Sequence, residues 1–283
     1  MKLGALAWQV SFGDGIDAWA ARLDQAVAEA DADLVFTAEY APMEMATGSA
    51  PDLEGELARA CVLAPEALDV ARAIAQRHGV WLLPGTLPWR EGGSVRNRAP
   101  LIAPDGRMAW QDKHVMTRFE AEQWGISPGA PPAVFDTDFG RIGIAICFDL
   151  EFPHLVRAQI EAGAWLILAP SCTDTLQGFN RVRIAAAARA MENQCFVAIA
   201  PTVGLAPWSA ALDENHGQAA IYGPVDRGFP IDGIIAAGAM DTPGWVITDL
   251  DPAHLDAVRR GGAVRNHLAW PPHPPACRVE RPQ

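Results

Sequence analysis

Short apolar segments alternate with amphipathic segments in both halves of this chain of 283 residues. The apolar segments have the length and composition of buried strands, and the segments between them carry apolar residues at helical spacing. The predicted strands lie at residues 3–9, 34–37, 80–86, 141–146, 165–169 and 195–200. Such alternation of strands and helices predicts an α/β fold.

Each half also contains strand candidates that do not follow this alternation. Residues 95–103 and 107–113 are joined by a Pro-Asp-Gly turn at residues 104–106, so we expect them to pair in antiparallel fashion. Later strands are predicted at residues 218–222, 234–237 and 245–249. Two mixed sheets, each covered by helices on one face and packed against each other, would bury both sets of apolar strands.

The helix boundaries follow from capping and breaking residues. Asp17 is placed to cap a helix over residues 17–30, and Pro65 is placed to open one that ends at Gly79. Further helices are predicted at residues 153–162, 180–193 and 252–260.

The chain shows no linker, so we expect one domain over residues 1–260. Beyond Gly261 the sequence is rich in proline, a residue that disfavours helices and central strands. We therefore expect residues 261–283 to form an extended tail that lies on the body or on a neighbouring subunit.

The composition excludes several classes of protein. The net charge of −12 repels a phosphate backbone, and the 22 Lys and Arg residues form no basic stripe, so we expect neither nucleic acid nor a membrane as partner. Five cysteines without a CxxC pair fit a reducing compartment, and we expect a cytoplasmic protein whose first residues form a strand and not a signal peptide. The glycines form no phosphate-binding motif, and neither a nucleotide nor a metal cofactor is indicated.

Cys147 ends the apolar run at residues 141–146 and is followed by acidic residues and Pro153, which open a helix. A thiol at such a strand-to-helix elbow lies at the carboxyl edge of the sheet, where α/β folds place their active sites. The positive end of the following helix would favour the thiolate. Cys147 is therefore the candidate nucleophile, although many free cysteines are simply small buried apolar residues.

Glu39 and Lys113 also follow predicted strands. A carboxylate, an ammonium group and a thiol are the groups that acyl transfer from nitrogen requires. The carboxylate accepts the thiol proton and later returns a proton to the leaving amine, while the ammonium group stabilises the oxyanion.

Together these positions resemble the nitrilase or carbon-nitrogen hydrolase superfamily, whose members carry Glu, Lys and Cys in this chain order. The resemblance covers residues 3–260. It includes the segment from Asn97 to Lys113 with its Pro-Asp-Gly turn, Cys-Phe-Asp and Phe-Pro at residues 147–149 and 152–153, and Ala-Arg-Ala-Met-Glu-Asn at residues 188–193. It implies a nitrilase-like, four-layer α-β-β-α sandwich with Glu39 as general base, Lys113 as oxyanion stabiliser and Cys147 as nucleophile.

The resemblance also implies roles for residues around the triad. Glu122, which precedes Ser-Pro-Gly at residues 127–129, matches the family's second glutamate, and Glu120 competes with it for that role. The backbone N–H of Phe148 would help to bind the oxyanion, and its side chain would line the pocket. Cys172 lies close to where family substrates bind and either contacts the substrate or fills the core.

Departures from the family pattern narrow the activity. Nitrile-cleaving members follow the cysteine with Trp-Glu, whereas this chain has Phe148 and Asp149, which resemble the amidase and carbamoylase branches. Glu151 stands where several branches have arginine. It either makes the pocket entrance negative and attracts cations, or pairs with an arginine such as Arg157 or Arg189.

The resemblance thus implies an amidohydrolase that cleaves a small amide through a thioester, and a homodimer or higher homo-oligomer. The alternatives are an N-carbamoyl hydrolase, a nitrilase, or an inactive scaffold relative, although no triad residue is missing. A Cys-His protease built on His114 or His216 is disfavoured, because a strand would direct His114 and Lys113 to opposite faces.

Overall fold

The computed structural model describes residues 1–13, 15–46 and 52–271. Within these ranges the strands are β1 (Lys2–Gln9), β2 (Leu34–Phe36), β3 (Trp81–Leu83), β4 (Leu87–Glu91), β5 (Ser94–Ile102), β6 (Met108–Asp112), β7 (Val134–Thr137), β8 (Gly140–Ile144), β9 (Leu166–Ser171), β10 (Phe196–Leu205), β11 (Glu214–Asn215), β12 (Ala220–Tyr222), β13 (Ile234–Ala237) and β14 (Gly244–Asp249). The helices are α1 (Ile16–Glu29), α2 (Leu53–His78), α3 (Pro153–Glu161), α4 (Leu176–Asn193), α5 (Pro252–Gly261) and α6 (Asn266–Ala269).

The strands form two mixed sheets that join at one edge. In the first sheet β1, β2 and β3 are parallel, while β14 pairs antiparallel with β1, and β4 and β6 pair antiparallel with β5. In the second sheet β8, β9 and β10 are parallel, and β7, β12 and β13 complete it with antiparallel pairs. The ends of β1 and β10 pair in parallel through Trp8 with Thr202 and Gln9 with Val203. The α/β architecture and the antiparallel pairing of β5 with β6 are as predicted.

The buried side chains separate the two faces of the first sheet. Residues such as Leu6, Val35 and Leu82 share a core with Trp19 of α1 and Ile74 of α2. Their neighbours along the strands point to the other face because side chains alternate in a strand, and they share a core with the strands of the second sheet. That core also takes in apolar residues of α3 and α4. This distribution is the one that α-β-β-α layering requires.

Three helix starts differ from prediction, and one of them is that of α4, which begins at Leu176 and not at residue 180 because Thr175 caps it. The helix that Pro65 was expected to open begins at Leu53, and Asp52 caps it by accepting a hydrogen bond from the backbone N–H of Gly55 at 2.8 Å. Pro65 lies inside this helix, which continues through it to Gly79 at φ 66°. In α1 the cap is Gly15, and Asp17 lies in the first turn, where its charge still favours the helix.

The predicted tail also needs correction in its described part. Asn266–Ala269 form the short helix α6, so the extended conformation expected for residues 261–283 is wrong there. This turn precedes the proline cluster, which begins at Pro271, so proline does not oppose it. Trp270 anchors the segment to α4 through a hydrogen bond from its indole N–H to the backbone oxygen of Glu192 at 2.9 Å. Residues 272–283 of the predicted tail lie outside the described residues.

Candidate active site

The four strand ends that carry the predicted reactive residues meet at one cavity. Glu39 follows β2, Lys113 follows β6, Cys147 follows β8 and Cys172 follows β9. All four line a cavity of about 530 Å³. Because β8 and β9 are parallel, their carboxyl ends lie side by side at this edge.

Cys147 occupies the strand-to-helix elbow that the sequence predicts. Its φ is 47°, a left-handed conformation that a residue with a side chain rarely adopts and that costs about 1–3 kcal/mol. A short 3₁₀ turn, Cys147–Glu151, then leads into α3. The thiol is buried, and its Sγ donates a hydrogen bond to the backbone oxygen of Cys172 at 3.5 Å. Such strain, held by the surrounding structure, is typical of functional sites.

The carboxylate of Glu39 is held from three directions. Its Oε1 accepts hydrogen bonds from Lys113 Nζ and from Asn97 Nδ2, each at 2.8 Å. Its Oε2 accepts one from the backbone N–H of Cys172 at 3.0 Å. The peptide groups of Cys172 therefore bind both the carboxylate and the thiol, and they bring the general-base and nucleophile candidates to the same point.

Glu120 is the second carboxylate on Lys113. Lys113 Nζ lies 2.7 Å from Glu120 Oε2, and that oxygen also accepts hydrogen bonds from the backbone N–H and the hydroxyl of Thr117. Glu120 Oε1 accepts hydrogen bonds from the Tyr40 hydroxyl at 2.7 Å and from Asn97 Nδ2 at 3.2 Å. Lys113 is only 1% exposed, and both of its carboxylate partners are equally well buried. The two carboxylates thus fix the ammonium group.

The prediction that Glu122, and not Glu120, is the second glutamate near Lys113 is wrong. Glu122 lies on the surface, with 56% of its side chain exposed, and pairs with Arg118 at 2.9 Å. The two glutamates share a single wide helical turn, Glu120–Trp124, which ends at Gly125. Residues two apart in a helical turn point in different directions, so only one of them can reach Lys113.

The surroundings push the pKa values of the two carboxylates apart. Burial raises the pKa of Glu39 to about 6, against the opposing effect of the Lys113 charge. Burial also acts on Glu120, but the Lys113 charge and the hydrogen bonds from Lys113 and Thr117 outweigh it and lower the pKa of Glu120. Burial opposes the charge on Lys113, yet Glu120 and Glu39 hold its pKa well above the usual value. Glu120 is therefore the permanent counter-ion, and Glu39 is the group able to exchange a proton near neutral pH.

The expected thiolate at Cys147 is not what the structure favours. Burial, reinforced by the charge of Glu39, raises the pKa of the Cys147 thiol well above its usual value, and the Lys113 charge offsets this only in part. The 3₁₀ turn that separates Cys147 from α3 also keeps the thiol away from the first turn of that helix, where the dipole acts most strongly. The resting thiol is therefore neutral, and a base must remove its proton when it reacts.

The acidic residues after the nucleophile have protein partners. Asp149 is buried and accepts hydrogen bonds from the backbone N–H groups of His114 and Val115, at 3.1 and 2.7 Å. Glu151 lines the cavity and pairs with Arg181 at 3.2 Å, so an arginine partner is confirmed although it is neither Arg157 nor Arg189. A negative entrance made by these two carboxylates is not favoured.

The remaining predicted positions fall on the walls of the cavity. Phe148 lines it and packs edge-to-face on Phe152, with ring centroids 5.0 Å apart. Cys172 lines it as well, and its Sγ lies 3.5 Å from Asn215 Oδ1. The histidines of the disfavoured protease are not among the lining residues. His114 contacts the backbone oxygen of Ala130, and His216 lies between Glu214 and Asp241.

Sequence reasoning missed Asn97 and Tyr40 as members of the site. Asn97 is fully buried and bonds to both carboxylates, and Tyr40, at φ 59°, turns the chain so that its hydroxyl reaches Glu120. The sequence placed Asn97 only at the start of a motif. A neutral amide in a strand is the one available signal, because a buried amide needs hydrogen-bond partners.

Among the described residues, no group of three or more His, Cys, Asp or Glu side chains is arranged to hold a metal ion. In the same part of the chain, no helix is both long and apolar enough to cross a membrane.

Comparisons with known proteins identify the family of this chain. A profile of the carbon-nitrogen hydrolase family matches residues 5–260. The probable hydrolase YhcX of Bacillus subtilis is 39% identical over 192 residues, which are 68% of this chain but only 37% of that protein. The deaminated glutathione amidase of a Synechocystis strain is 29% identical over 218 residues, 72% of this chain and 76% of that protein. The crystal structure of a carbon-nitrogen hydrolase from Helicobacter pylori superposes with a TM-score of 0.77 at 20% identity, over 92% of each chain, which confirms the fold.

Proposed function

We propose that this chain, which belongs to the carbon-nitrogen hydrolase family, is an amidase that cleaves the C–N bond of a small amide through a thioester on Cys147. The observation that carries the proposal is the convergence of Glu39, Lys113, Glu120 and Cys147 on one cavity, with Lys113 Nζ bonded to both carboxylates. Similar proteins whose names include amidase support the choice of amides over other carbon-nitrogen compounds.

In the first half of the reaction Glu39 takes the proton from Cys147 Sγ as the sulfur attacks the amide carbonyl. A base is required because the thiol is neutral at rest, and a carboxylate with a pKa near 6 is ionised at neutral pH. The attack forms a C–S bond and places a negative charge on the carbonyl oxygen. Lys113 Nζ and the backbone N–H of Phe148 stabilise this oxyanion.

The tetrahedral intermediate then loses the amine. Glu39 returns its proton to the leaving nitrogen, the C–N bond breaks, and ammonia or an amine departs from the thioester. In the second half Glu39 takes a proton from water, which attacks the thioester, and a carboxylic acid is released with the thiol restored. Glu120 remains ionised throughout and keeps Lys113 charged and in place.

Ammonia release from a panel of short amides tests the proposal, with the Cys147→Ala variant as control. We expect release by the parent protein and none above background by the variant. Product analysis on matched nitriles and N-carbamoyl compounds separates the amidase from a nitrilase and an N-carbamoyl hydrolase. Faster turnover of either of those classes than of every amide would replace the proposal.

We also propose that the protein forms a homodimer or a multiple of it in the cytoplasm. Ile184 and Met191 on α4 and Leu268 on α6 are exposed apolar side chains on a face next to the nucleophile elbow and its helix, and a partner copy would cover them. The cysteines in the described part are free thiols, as a reducing compartment requires. Light scattering at micromolar concentration tests the assembly, and a monomer would reject it.

A further inference from the structure

One wall of the cavity is a loop that begins with two small side chains. Residues 210–214 line the cavity, and the first two of them are Ala210 and Ala211. Leu212 is buried in the core and anchors its own part of the loop by packing. Ala210 and Ala211 have little side chain to pack, so their position depends on hydrogen bonds to their backbone.

Glu56, far away in sequence, provides these bonds. It lies in the first turns of α2 and is 1% exposed. Its Oε2 accepts hydrogen bonds from the backbone N–H groups of Ala210 and Ala211, each at 3.1 Å. Its Oε1 is buried and has no hydrogen-bond partner among the described residues. One oxygen of a buried carboxylate is thus used entirely to hold two consecutive amides of the wall.

Among the described residues, the surroundings of Glu56 offer no other reason for a buried carboxylate. Burial raises its pKa, and the groups that counter this are Ser209 and the two wall amides, with no basic side chain among them. A buried carboxylate without a cation is costly, because only hydrogen bonds compensate its charge. Its role in the described structure is the contact with the wall.

The rest of the loop has further anchors. Ser209 Oγ accepts hydrogen bonds from the backbone N–H groups of Leu212 at 3.0 Å and of Ala211 at 3.3 Å, and Asn215 Nδ2 donates one to the backbone oxygen of Leu212 at 2.7 Å. Asn215 also contacts the Cys172 thiol. Removing Glu56 should therefore loosen residue 210 most and residue 211 in part, while Leu212 stays anchored through Asn215 and the core.

We propose that the segment Ala210 to Leu212 of this wall selects the acyl group of the substrate, and that Glu56 is the positioning residue that holds the segment in place. The proposal deepens the amidase function and rests on it. A fixed wall contacts the far end of a long acyl group, whereas a short acyl group does not reach it. Its displacement should therefore weaken binding of long amides and leave the reaction at the thiol unchanged.

The test compares Glu56→Ala and Glu56→Gln with Glu54→Ala, a change of an exposed glutamate on the same helix. The substrates are acetamide and the longest straight-chain amide that the parent protein hydrolyses. We expect Glu56→Ala to lower kcat/KM for the long amide by about tenfold, because KM for this amide rises. For acetamide, kcat/KM should fall by less than about twofold. Glu56→Gln keeps an acceptor oxygen and should restore most of the loss, while Glu54→Ala should match the parent.

Two further measurements keep the proposal testable if Glu56→Ala folds poorly or if the parent hydrolyses no amide. Hydrogen exchange at the amides of residues 210 and 211 should accelerate in Glu56→Ala, much less in Glu56→Gln, and not in Glu54→Ala. Ala211→Val, which narrows the cavity and leaves the Glu56 side chain in place, should lower kcat/KM for the long amide more than kcat/KM for acetamide. The rate at which iodoacetamide alkylates Cys147 should stay within about twofold of the parent in every variant.

Unchanged exchange at residues 210 and 211 in Glu56→Ala would overturn the proposal. So would an equal fall of kcat/KM for short and long amides, because a general loss of stability acts on both alike. A parent protein without amidase activity would reject the proposed function, and the exchange measurement would then decide by itself whether Glu56 holds the wall.

Discussion

Glu120 and Glu151 both line the cavity and both pair with a basic side chain, but their surroundings differ. The pair of Glu120 with Lys113 is at most 3% exposed and belongs to a network with Glu39 and Asn97. The pair of Glu151 with Arg181 is open to solvent, with 20% and 59% of the side chains exposed. Breaking a buried pair costs about 3–5 kcal/mol, whereas an exposed pair contributes about 0–1 kcal/mol. The comparison predicts that changes in the buried pair largely abolish the reaction, whereas changes in the exposed pair only alter which substrates enter.

The largest effect should come from replacing Cys147, the proposed nucleophile, which lies near the buried pair. Cys147→Ala should lower kcat by at least about a thousandfold, because no neighbouring group can form the thioester. Iodoacetamide should alkylate Cys147 before the other cysteines in the parent, because Cys147 lines the cavity and Glu39 lies within hydrogen-bonding distance to accept its proton. Circular dichroism of the variant should match the parent. Activity of the variant within tenfold of the parent would contradict the assignment.

Glu120→Gln and Glu122→Gln form a matched pair of variants that tests whether Glu120, and not Glu122, is the second carboxylate that acts on Lys113. Glu120→Gln removes one of the two carboxylates on the buried Lys113 and should lower kcat by about a hundredfold. Glu122→Gln changes a surface side chain and should leave kcat within about twofold. Steady-state kinetics on one amide measures both. A larger loss of kcat in Glu122→Gln than in Glu120→Gln would instead assign Glu122 to the site.

The pH dependence tests Glu39 as the base. A base must be ionised to accept the thiol proton, and burial raises the pKa of Glu39 to about 6. The value of kcat/KM should therefore be level at neutral pH and fall as pH decreases through about 6, approaching tenfold per pH unit below that. The pKa of the Cys147 thiol is raised, so its ionisation should produce no acid limb. An acid limb near pH 4 would show that Glu39 is not shifted.

The sequence predicts the three residues of the triad better than the residues around them, for a physical reason. Glu39, Lys113 and Cys147 each follow a predicted strand, so their position at a sheet edge depends only on strand boundaries. The choice between Glu120 and Glu122 depends on a single wide helical turn, which no hydrophobic period reveals.

The start of α2 shows the same limit. A capping aspartate at residue 52 is a local signal, but Pro65 is a stronger one, and only the packed structure shows that the helix continues through it. The contact of Glu56 with residues 210 and 211 joins positions more than 150 apart in sequence. Neither partner has a local pattern that would predict it.

The smallest effect should come from the exposed pair. Glu151→Gln removes one charge with little change of shape and leaves the guanidinium of Arg181 unpaired at the cavity. The ratio of kcat/KM for an anionic amide to that for a cationic amide of equal size should rise by about two- to threefold, and the change should shrink with added salt. Glu161→Gln is the matched control, because Glu161 is an exposed carboxylate paired with Arg157 at 2.9 Å and does not line the cavity. A change above about tenfold, or one that persists in high salt, would mean that Glu151 contacts the substrate directly and that the exposed and buried pairs do not differ as their burial implies.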